Sequence, residues 1–420
     1  MNVSTTPAAV AGAAKGRGTR ARRPLFRLTP RASAGLGFFA LLLAIVYPLI
    51  DHDASHINTL FLATANAILA LGLNVVVGYA GLLDLGYAAF FAIGAYAYGM
   101  LASSQFTPGG GFDLHVGGLS VLAWGPLGIH ANFWFFLPVV ALIAAFFGVM
   151  LGAPTLRLRG DYLAIVTLGF GEIVPAVVKN LGSNNIFGWP DLTGGSNSLG
   201  PIDRPQLGTV PFDDPTQTLP WFYLGLAVLV LVVFITLSLR GSRLGRAWIA
   251  IREDELAASC MGINLTRVKL QAFATGAFFS GFAGMMVGSK LGSIEPSSFA
   301  FGTSIGILAM VVLGGMGSIP GVIVGALLIS ALQYTILDQV PVWLNNLGTL
   351  TNNSYLASGN FDGVRYLVFG AILVLTMIFR REGLIPSRRR TIELHADDED
   401  VLMEENQPLY DVREGKSALE

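Results

Sequence analysis

The sequence has little charge, a single cysteine and few histidines, and each shortage excludes a class of protein. Aspartate, glutamate, lysine and arginine make up 13% of the 420 residues, about half of the share that is usual in soluble domains. The lone cysteine, Cys260, excludes an intrachain disulfide, and no spacing of cysteine and histidine suits a zinc site. Charges that cluster at the termini and in one internal loop disfavour a nucleic-acid binder. We expect neither a metal nor a cofactor.

Apolar residues and glycine are abundant instead. Hydrophobic residues make up 53% of the chain and 51 residues are glycine, which suits close packing of helices in lipid. A hydrocarbon core about 30 Å thick needs ~20 apolar residues per helix, and the uncharged runs divide into about ten such spans. The predicted spans are residues 32–50, 54–83, 85–112, 133–152, 161–179, 215–239, 270–289, two within 296–337, and 361–379. The predicted fold class is an all-α polytopic membrane protein.

The positions of lysine and arginine predict the orientation, because cytoplasmic loops carry an excess of these residues. Residues 1–31 contain seven basic residues and no acid, and six more lie from Arg240 to Lys269. Ten alternating spans place both groups and both termini in the cytoplasm. We therefore expect a disordered basic arm over 1–31, a transmembrane domain over 32–380 and a disordered acidic tail over 381–420.

Three connections between the predicted spans are long. One is a cytoplasmic loop over 240–268, and another is an external loop over 181–218. The third, also external, precedes residue 133, and its glycines and the histidines His115 and His130 suit a solvated loop.

The cytoplasmic loop has the pattern of a short amphipathic helix. Apolar residues recur at helical spacing, at Ala247, Ile251, Ala258 and Met261. Charged residues occupy 252–255, and Gly262 is a plausible helix stop. A helix of this kind either rests at the membrane interface or fits a groove on a partner.

Acidic residues inside membrane spans are expensive and are candidates for function. Asp84 and Asp161 fall at predicted cytoplasmic span ends, where anchoring at the interface or helix capping is the alternative to a functional role. Glu172 lies well inside its span, between Gly171 and a helix-kinking proline at 175. It is predicted either to line a pathway or to form a structural hydrogen bond to a neighbouring helix.

The seventh span carries small residues at a strict four-residue spacing, at Gly276, Ser280, Gly284 and Gly288. Such a face lets another helix approach closely in lipid. We predict a packing seam, which could carry a movement of the adjoining cytoplasmic loop into the membrane.

A phosphate-binding loop is missing. The pattern Gly-x-x-x-x-Gly-Lys-Ser/Thr, which cradles ATP phosphates, occurs nowhere in the chain. We therefore predict that the chain is not an enzyme and that any ATP hydrolysis that drives it resides on another polypeptide. This absence fits a subunit of an ATP-driven transporter and an ion-driven carrier equally.

Several motifs in a fixed order carry a resemblance to a known family. They are Arg246–Asn264 with Arg267–Phe273, Gly72–Gly81 with Gly86–Tyr96, Arg157–Ile165 with Thr167–Glu172, Leu192–Gly195, and Met310–Ser318. Over roughly residues 57–380 the chain resembles the permeases of ABC importers of the branched-chain amino acid family. Leu256 stands where the generic importer loop has glutamate, and Glu255 lies one residue earlier.

The resemblance implies a function and a set of partners. It implies an all-helical permease in the cell inner membrane that forms a pathway with a second, related permease. Two ATPase subunits would supply ATP hydrolysis and an external solute-binding protein would deliver the amino acid. The loop 181–218 would then meet the binding protein or act as a lid on the pathway.

The resemblance also assigns roles to residues. The coupling element that meets the ATPase would comprise Arg252, Glu253, Asp254, Glu255, Ala257, Ala258 and Gly262. Candidate pathway residues are Asp84, Tyr87 and Glu172. Two alternatives stay open, an ion-coupled carrier in which Asp84 or Glu172 binds the coupling ion, and a permease of the same family for urea or other amides.

Overall fold

A computed structural model of the protein describes most of the transmembrane region. The described residues are 41–51, 53–103, 112–116, 119–125, 128–156, 158, 160–181, 193–195, 198–205, 212, 218–350, 367–371, 374–375, 378 and 383–385. The predicted arm over 1–31 and nearly all of the predicted tail over 381–420 lie outside these residues. So does much of the predicted external loop over 181–218, together with Arg157 and Arg159.

The chain divides into two compact units, Met1–Tyr47 and Pro48–Glu420. Of the first unit the structure describes residues 41–47, which belong to the apolar helix α1 (Leu41–Ile50).

Helices form most of the second unit. They are α2 (Ala54–Leu73), α3 (Ala88–Leu101), α4 (Phe133–Thr155), α5 (Asp161–Leu181), α6 (Leu219–Gly241), α7 (Arg243–Glu253), α8 (Glu255–Cys260), α9 (Leu265–Leu291), α10 (Phe301–Gly314), α11 (Ile319–Ala331) and α12 (Val340–Leu350). A π-helical turn, Asn74–Tyr79, continues α2, and a second π turn (Leu332–Ile336) and a 3₁₀ turn (Leu337–Gln339) join α11 to α12. Residues 367–371, 374–375 and 378 are also helical.

Six helical segments are long and apolar enough to cross a membrane, which confirms the predicted polytopic helical class. They are Ala54–Tyr79, Phe133–Thr155, Tyr162–Leu181, Leu219–Gly241, Leu265–Leu291 and Ile319–Asn346. The predicted count of ten stays a prediction, since two of the expected spans are short helices. α3 and α10 have 14 residues each, about 21 Å of helix, which is less than the thickness of the hydrocarbon core.

A small antiparallel sheet precedes α4, where the sequence predicted only a loop. Its strands are β1 (Phe112–Val116), β2 (Leu119–Gly125) and β3 (Gly128–Ala131), paired in the order β1-β2-β3. The sequence between β1 and β2 is Gly-Gly, a pair typical of two-residue hairpins. That signal was present in the sequence, but the glycines were interpreted as loop residues.

Helix α9 lies at the centre of the packing, between α3 and α4 and against α2. Its small residues allow this close approach. A Cβ added at Gly284 would lie 2.5 Å from the carbonyl oxygen of Phe91, and one added at Gly281 would lie 2.9 Å from the Cα of Ala141. Gly276, Ser280, Gly284 and Gly288 are all buried. The close packing of α9 against its neighbours therefore depends on the small residues at these positions.

Candidate functional site

The two short helices, α3 and α10, begin in the interior of the membrane region and not at its surface. The hydroxyl of Ser304 in α10 accepts a hydrogen bond from the backbone N–H of Ala88 at the start of α3, at 2.9 Å. At the start of α10, the N–H of Phe301 donates to the Glu172 carboxylate at 3.3 Å. Glu172 lies eleven residues into α5, about 16 Å along the helix axis. The N-termini of α3 and α10 therefore meet near the middle of α5.

The segment before α10 folds back into the membrane region. Helix α9 ends at Gly292, whose φ of 69° is left-handed, and the chain then pairs Ile294 with Leu199 through backbone hydrogen bonds of 2.8 and 2.9 Å. A 3₁₀ turn, Pro296–Phe299, follows. The ring of Phe299 packs against that of Phe91 on α3, with centroids 4.9 Å apart. We call residues 292–300 the re-entrant segment.

One side of this region is open in the chain. Ser297, Ser298, Ala300 and Gly302 are exposed, and so is Glu172 on the adjoining α5. Irregular backbone at membrane depth is tolerated only where protein covers it or where it lines a water-filled cavity. This open side of α5 and α10 is therefore a place for a pathway or for a partner, and not for lipid.

Asp84 lies in the connection between α2 and α3 and is 2% exposed. One carboxylate oxygen accepts from the N–H of Gly86 at 2.9 Å. The other is buried near the Thr167 hydroxyl, without a hydrogen-bond partner in the described part of the chain. It lines a cavity, shared with Thr155 and Thr167, that is only large enough for about one water. Asp84 is thus buried within the protein, and its bond to the Gly86 N–H lies just before α3, where helix capping was one of the alternatives to a functional role.

Tyr87 faces the packed side of α3. Its side chain is fully buried, and its hydroxyl donates to the carbonyl of Gly276 on α9 at 2.7 Å. A Cβ added at Gly72 on α2 would overlap the same hydroxyl. The structure therefore joins Tyr87 to α2 and α9, and it does not bring Tyr87 to the open side with Glu172.

The predicted amphipathic helix of the cytoplasmic loop is two helices, α7 and α8, which meet at Asp254. The carboxylate of Asp254 accepts from the N–H groups of Leu256 and Ala257 at 2.7 and 3.0 Å. An aspartate that caps a new helix in this way competes with continuation of the previous one. Gly262 follows α8 with a φ of 83°, in agreement with the predicted stop.

The residues of the predicted coupling element differ in exposure. Glu253, Asp254, Ala257 and Gly262 are exposed, Arg252 and Glu255 are half-buried, and Ala258 is buried. Two large apolar side chains beside them are exposed, Leu256 at 74% and Met261 at 83%. Glu255 forms an ion pair of 2.5 Å with Lys269 on α9. The apolar side chains are therefore free for a partner, whereas the nearest acid is already paired inside the chain.

The inner side of α7 contacts the π turn of α2. Trp248 is fully buried and its indole N–H donates to Val268 on α9 at 2.8 Å. The Arg252 guanidinium donates to the carbonyl of Gly78 at 2.5 Å. Gly81, with a φ of 70°, lies so close that a Cβ there would be 2.8 Å from the Arg252 Cγ.

Beyond the π turn, the contacts continue to the turn between α10 and α11. Asn74 is fully buried, and its side-chain oxygen accepts from the N–H of Gly317 at 2.8 Å. A Cβ at Gly78 would be 2.1 Å from this Asn74 oxygen and 2.7 Å from the Gly317 nitrogen. Sequence reasoning missed Asn74. The available signal was its place between apolar residues in the Gly72–Gly81 motif.

The external connections also meet. His130 on β3 and Asp203 lie 2.8 Å apart through Nδ1 and a carboxylate oxygen, and the His130 side chain is 47% exposed, as expected for a solvated histidine. Burial raises the pKa of Asp203 above its usual value, and the hydrogen bond with His130 opposes that rise. Across the described ranges, no group of three His, Cys, Asp or Glu side chains could hold a metal.

Comparison with known proteins identifies the family. Residues 55–377 match the family described as the permease component of the branched-chain amino acid transport system. The chain belongs to this family. It is 37% identical, over 84% of its length and 75% of the relative's, to the high-affinity branched-chain amino acid transport system permease protein LivM of Escherichia coli K12. LivM of Salmonella typhimurium is 36% identical over the same shares.

A second protein of the same E. coli system, the permease protein LivH, is 25% identical over 78% of this chain and 93% of its own length. No solved structure matches. The predicted membership of this permease family is confirmed. The prediction of a membrane transport protein is confirmed with it.

Proposed function

We propose that the chain is a transmembrane permease subunit of an ATP-driven importer for branched-chain amino acids, located in the cell inner membrane. The observation that carries the proposal is the exposed, polar, irregular backbone of the re-entrant segment beside the Glu172 carboxylate, at membrane depth. Family membership supplies the transport class. A second related permease completes the pathway, separate ATPase subunits hydrolyse ATP, and an external binding protein delivers the substrate.

The open side of α5 and α10 suits an amino acid chemically. The N-terminus of α10 is a partial positive charge that favours a carboxylate, and Glu172 is a negative charge that favours an ammonium group. Interrupted helices with their ends at the membrane midplane are a common way of building substrate sites in transporters. These contacts are weak on an exposed surface, which lets the substrate move on after the binding protein has selected it.

Coupling to the ATPase uses the cytoplasmic loop. Leu256, Ala257 and Met261 present an exposed apolar surface that suits a groove on an ATPase subunit. Behind it, a movement of α7 reaches the π turn through the hydrogen bond from Arg252 to Gly78. From there the bond between Asn74 and Gly317 reaches the turn at the end of α10. The other end of α10 begins at Phe301, whose N–H donates to Glu172.

One observation favours the second candidate, an ion-coupled carrier. The buried Asp84 carboxylate has an oxygen facing a small cavity, and a site of that kind could bind a proton or a small cation. The same contacts also serve a structural role, because Asp84 holds the N–H of Gly86 just before α3. Family membership favours the ATP-driven importer.

The test uses the purified assembly in lipid vesicles, with labelled leucine and the binding protein on one side and ATP on the other. We expect uptake that requires ATP and is unchanged by a protonophore. Uptake that persists without ATP and collapses with the protonophore would identify the ion-coupled carrier. Competition by excess urea, with no competition by isoleucine or valine, would instead assign the amide substrate.

A further inference from the structure

Resting on the proposed function, we propose that the second permease subunit docks on the open side of α5 and α10. This surface, the α5–α10 face, consists of Ile165, Gly169, Glu172, Gly302 and Gly306. The pathway then runs along the seam between the two subunits, with the re-entrant segment as this chain's wall.

The charge on this face is the first argument for a protein partner. Glu172 is exposed near the middle of a membrane-spanning helix, and its hydrogen-bond partner among the described residues is a single backbone N–H at 3.3 Å. A carboxylate in that position is not stable against lipid hydrocarbon. Water in a pathway or polar groups of another subunit must therefore face it.

The backbone beside Glu172 is the second argument. Gly302 in the first turn of α10 and the preceding Ser297, Ser298 and Ala300 are exposed beside the middle of α5. Backbone polar groups there require protein or water, because lipid offers no hydrogen bonds. A partner subunit that leaves a water-filled pathway at the contact supplies both protein and water.

The shape of the face fits a closely approaching helix. Gly302 and Gly306 lie four residues apart on α10, and a Cβ added at either, or at Gly169 on α5, would meet no heavy atom of the described residues within 4 Å. In α9, by contrast, the small residues Gly276, Gly284 and Gly288 all touch neighbours in this chain. Small residues in lipid favour contact between helices, and Gly302 and Gly306 have no such contact within the described part of the chain.

The outer faces of α4 and α6 provide the contrast. Their exposed side chains are bulky and apolar, such as Leu142, Phe146 and Phe234, and suit lipid. Helix α5 is the least buried of the six long spans, yet its mean hydropathy is lower than that of α4 or α6. A helix that faced lipid with that much of its surface would be expected to be the more apolar one.

Because the chain has a single cysteine, a photoreactive probe can be attached at one chosen position and cross-linked to whatever lies beside it. In a Cys260→Ser background, Ile165→Cys on α5 and Ile305→Cys on α10 are labelled with benzophenone maleimide in the purified assembly and illuminated. The matched controls are Leu142→Cys and Phe234→Cys; Leu142 and Ile165 are each 62% exposed. We expect at least fivefold more adduct with the second permease from the first pair than from the controls.

The opposite results are equally specific. Adducts with the second permease from Leu142→Cys or Phe234→Cys at the same or higher yield would overturn the docking face. Lipid adducts alone, or adducts within the chain itself, from Ile165→Cys and Ile305→Cys would also overturn it. If no second permease co-purifies with the wild-type chain, the failure belongs to the proposed function and not to the choice of face.

Discussion

At the scale of single residues, the position of Glu172 bears on whether this acid lines a transport pathway or has a structural role. Sequence reasoning could single it out, because a carboxylate far inside a span is expensive wherever it points. It could not show that the residue is exposed, nor that it contacts the N-terminus of α10. Both facts depend on the re-entrant segment, and no hydrophobic periodicity in the sequence predicts that segment.

The first prediction is that Glu172→Gln lowers the rate of uptake about tenfold, which corresponds to about 1.4 kcal/mol. Glutamine keeps the hydrogen-bond acceptor for α10 but removes the charge that attracts the substrate ammonium. Membrane abundance and ATP hydrolysis should stay near wild type. The three quantities are measured on one preparation.

Lys179→Gln, a charge removal at the outer end of the same helix, is the control and should leave uptake unchanged. A purely structural role of Glu172 would give the reverse pattern, with low abundance and normal uptake per molecule.

Asp84 yields the second prediction. Asp84→Asn keeps an acceptor for the Gly86 N–H and should change stability by less than about 1 kcal/mol. Asp84→Leu leaves that buried N–H unsatisfied and should destabilise the chain by about 1–3 kcal/mol. Thermal unfolding of the purified protein in detergent measures both. ATP-driven uptake by Asp84→Asn at under a tenth of the wild-type rate, with normal stability, would show that Asp84 acts in transport and does not only hold the Gly86 N–H.

At the scale of elements, the cytoplasmic loop gives the third prediction, and the structure makes it sharper than the sequence could. Ala257 is exposed but Ala258 is buried, so that only Ala257→Asp changes the docking surface without disturbing the fold. We expect Ala257→Asp to reduce co-purification of the ATPase subunits at least fivefold, since it places a charge in an apolar contact. Thr266→Asp, exposed in the first turn of α9 and outside the predicted coupling element, is the control. Wild-type co-purification of Ala257→Asp would refute the docking assignment.

The fourth prediction concerns the contacts behind this loop. Arg252→Ala removes the bond to Gly78, and we expect the number of ATP molecules hydrolysed per amino acid transported to rise severalfold while ATPase binding persists. Arg246→Ala is the matched control, because Arg246 is an exposed arginine of the same helix that bonds only to the nearby Gly241 carbonyl in the described structure. Equal ratios for the two variants would show that the π turn does not transmit the movement.

The elements themselves were predictable to different degrees. Long apolar runs such as Leu219–Gly241 follow from length and hydropathy alone. The extents of α3 and α10 did not, since the uncharged runs 85–112 and 296–337 do not reveal that α3 covers Ala88–Leu101 or that a re-entrant segment precedes Phe301. Tertiary contacts, such as Ser304 with the N–H of Ala88, decide where such helices begin.

At the scale of the whole molecule, glycine has two uses that the sequence does not distinguish. The small residues of α9 were predicted as a packing seam from their spacing, and Gly302 and Gly306 of α10 have the same four-residue spacing. In the structure the first set touches neighbouring segments of the chain, and a Cβ at either glycine of the second set would meet no described residue within 4 Å. Only the arrangement of the other helices distinguishes the buried glycines of α9 from the open glycines of α10.

This difference supports the last prediction, a comparison of Gly284→Val with Gly306→Val. The Cβ of a valine at Gly284 would lie 2.5 Å from the backbone carbonyl of Phe91, which cannot move without shifting α3. Overpacking of this kind costs about 1–3 kcal/mol or more, so Gly284→Val should lower the unfolding temperature of the isolated chain. The Cβ added in Gly306→Val would meet no heavy atom of the described residues within 4 Å, so this variant should leave that temperature near the wild-type value. It should instead weaken co-purification of the second permease, because the added side chain keeps the facing helix at a distance. Equal loss of stability in the two variants, or undiminished association of Gly306→Val, would show that the open glycines of α10 are not an interface.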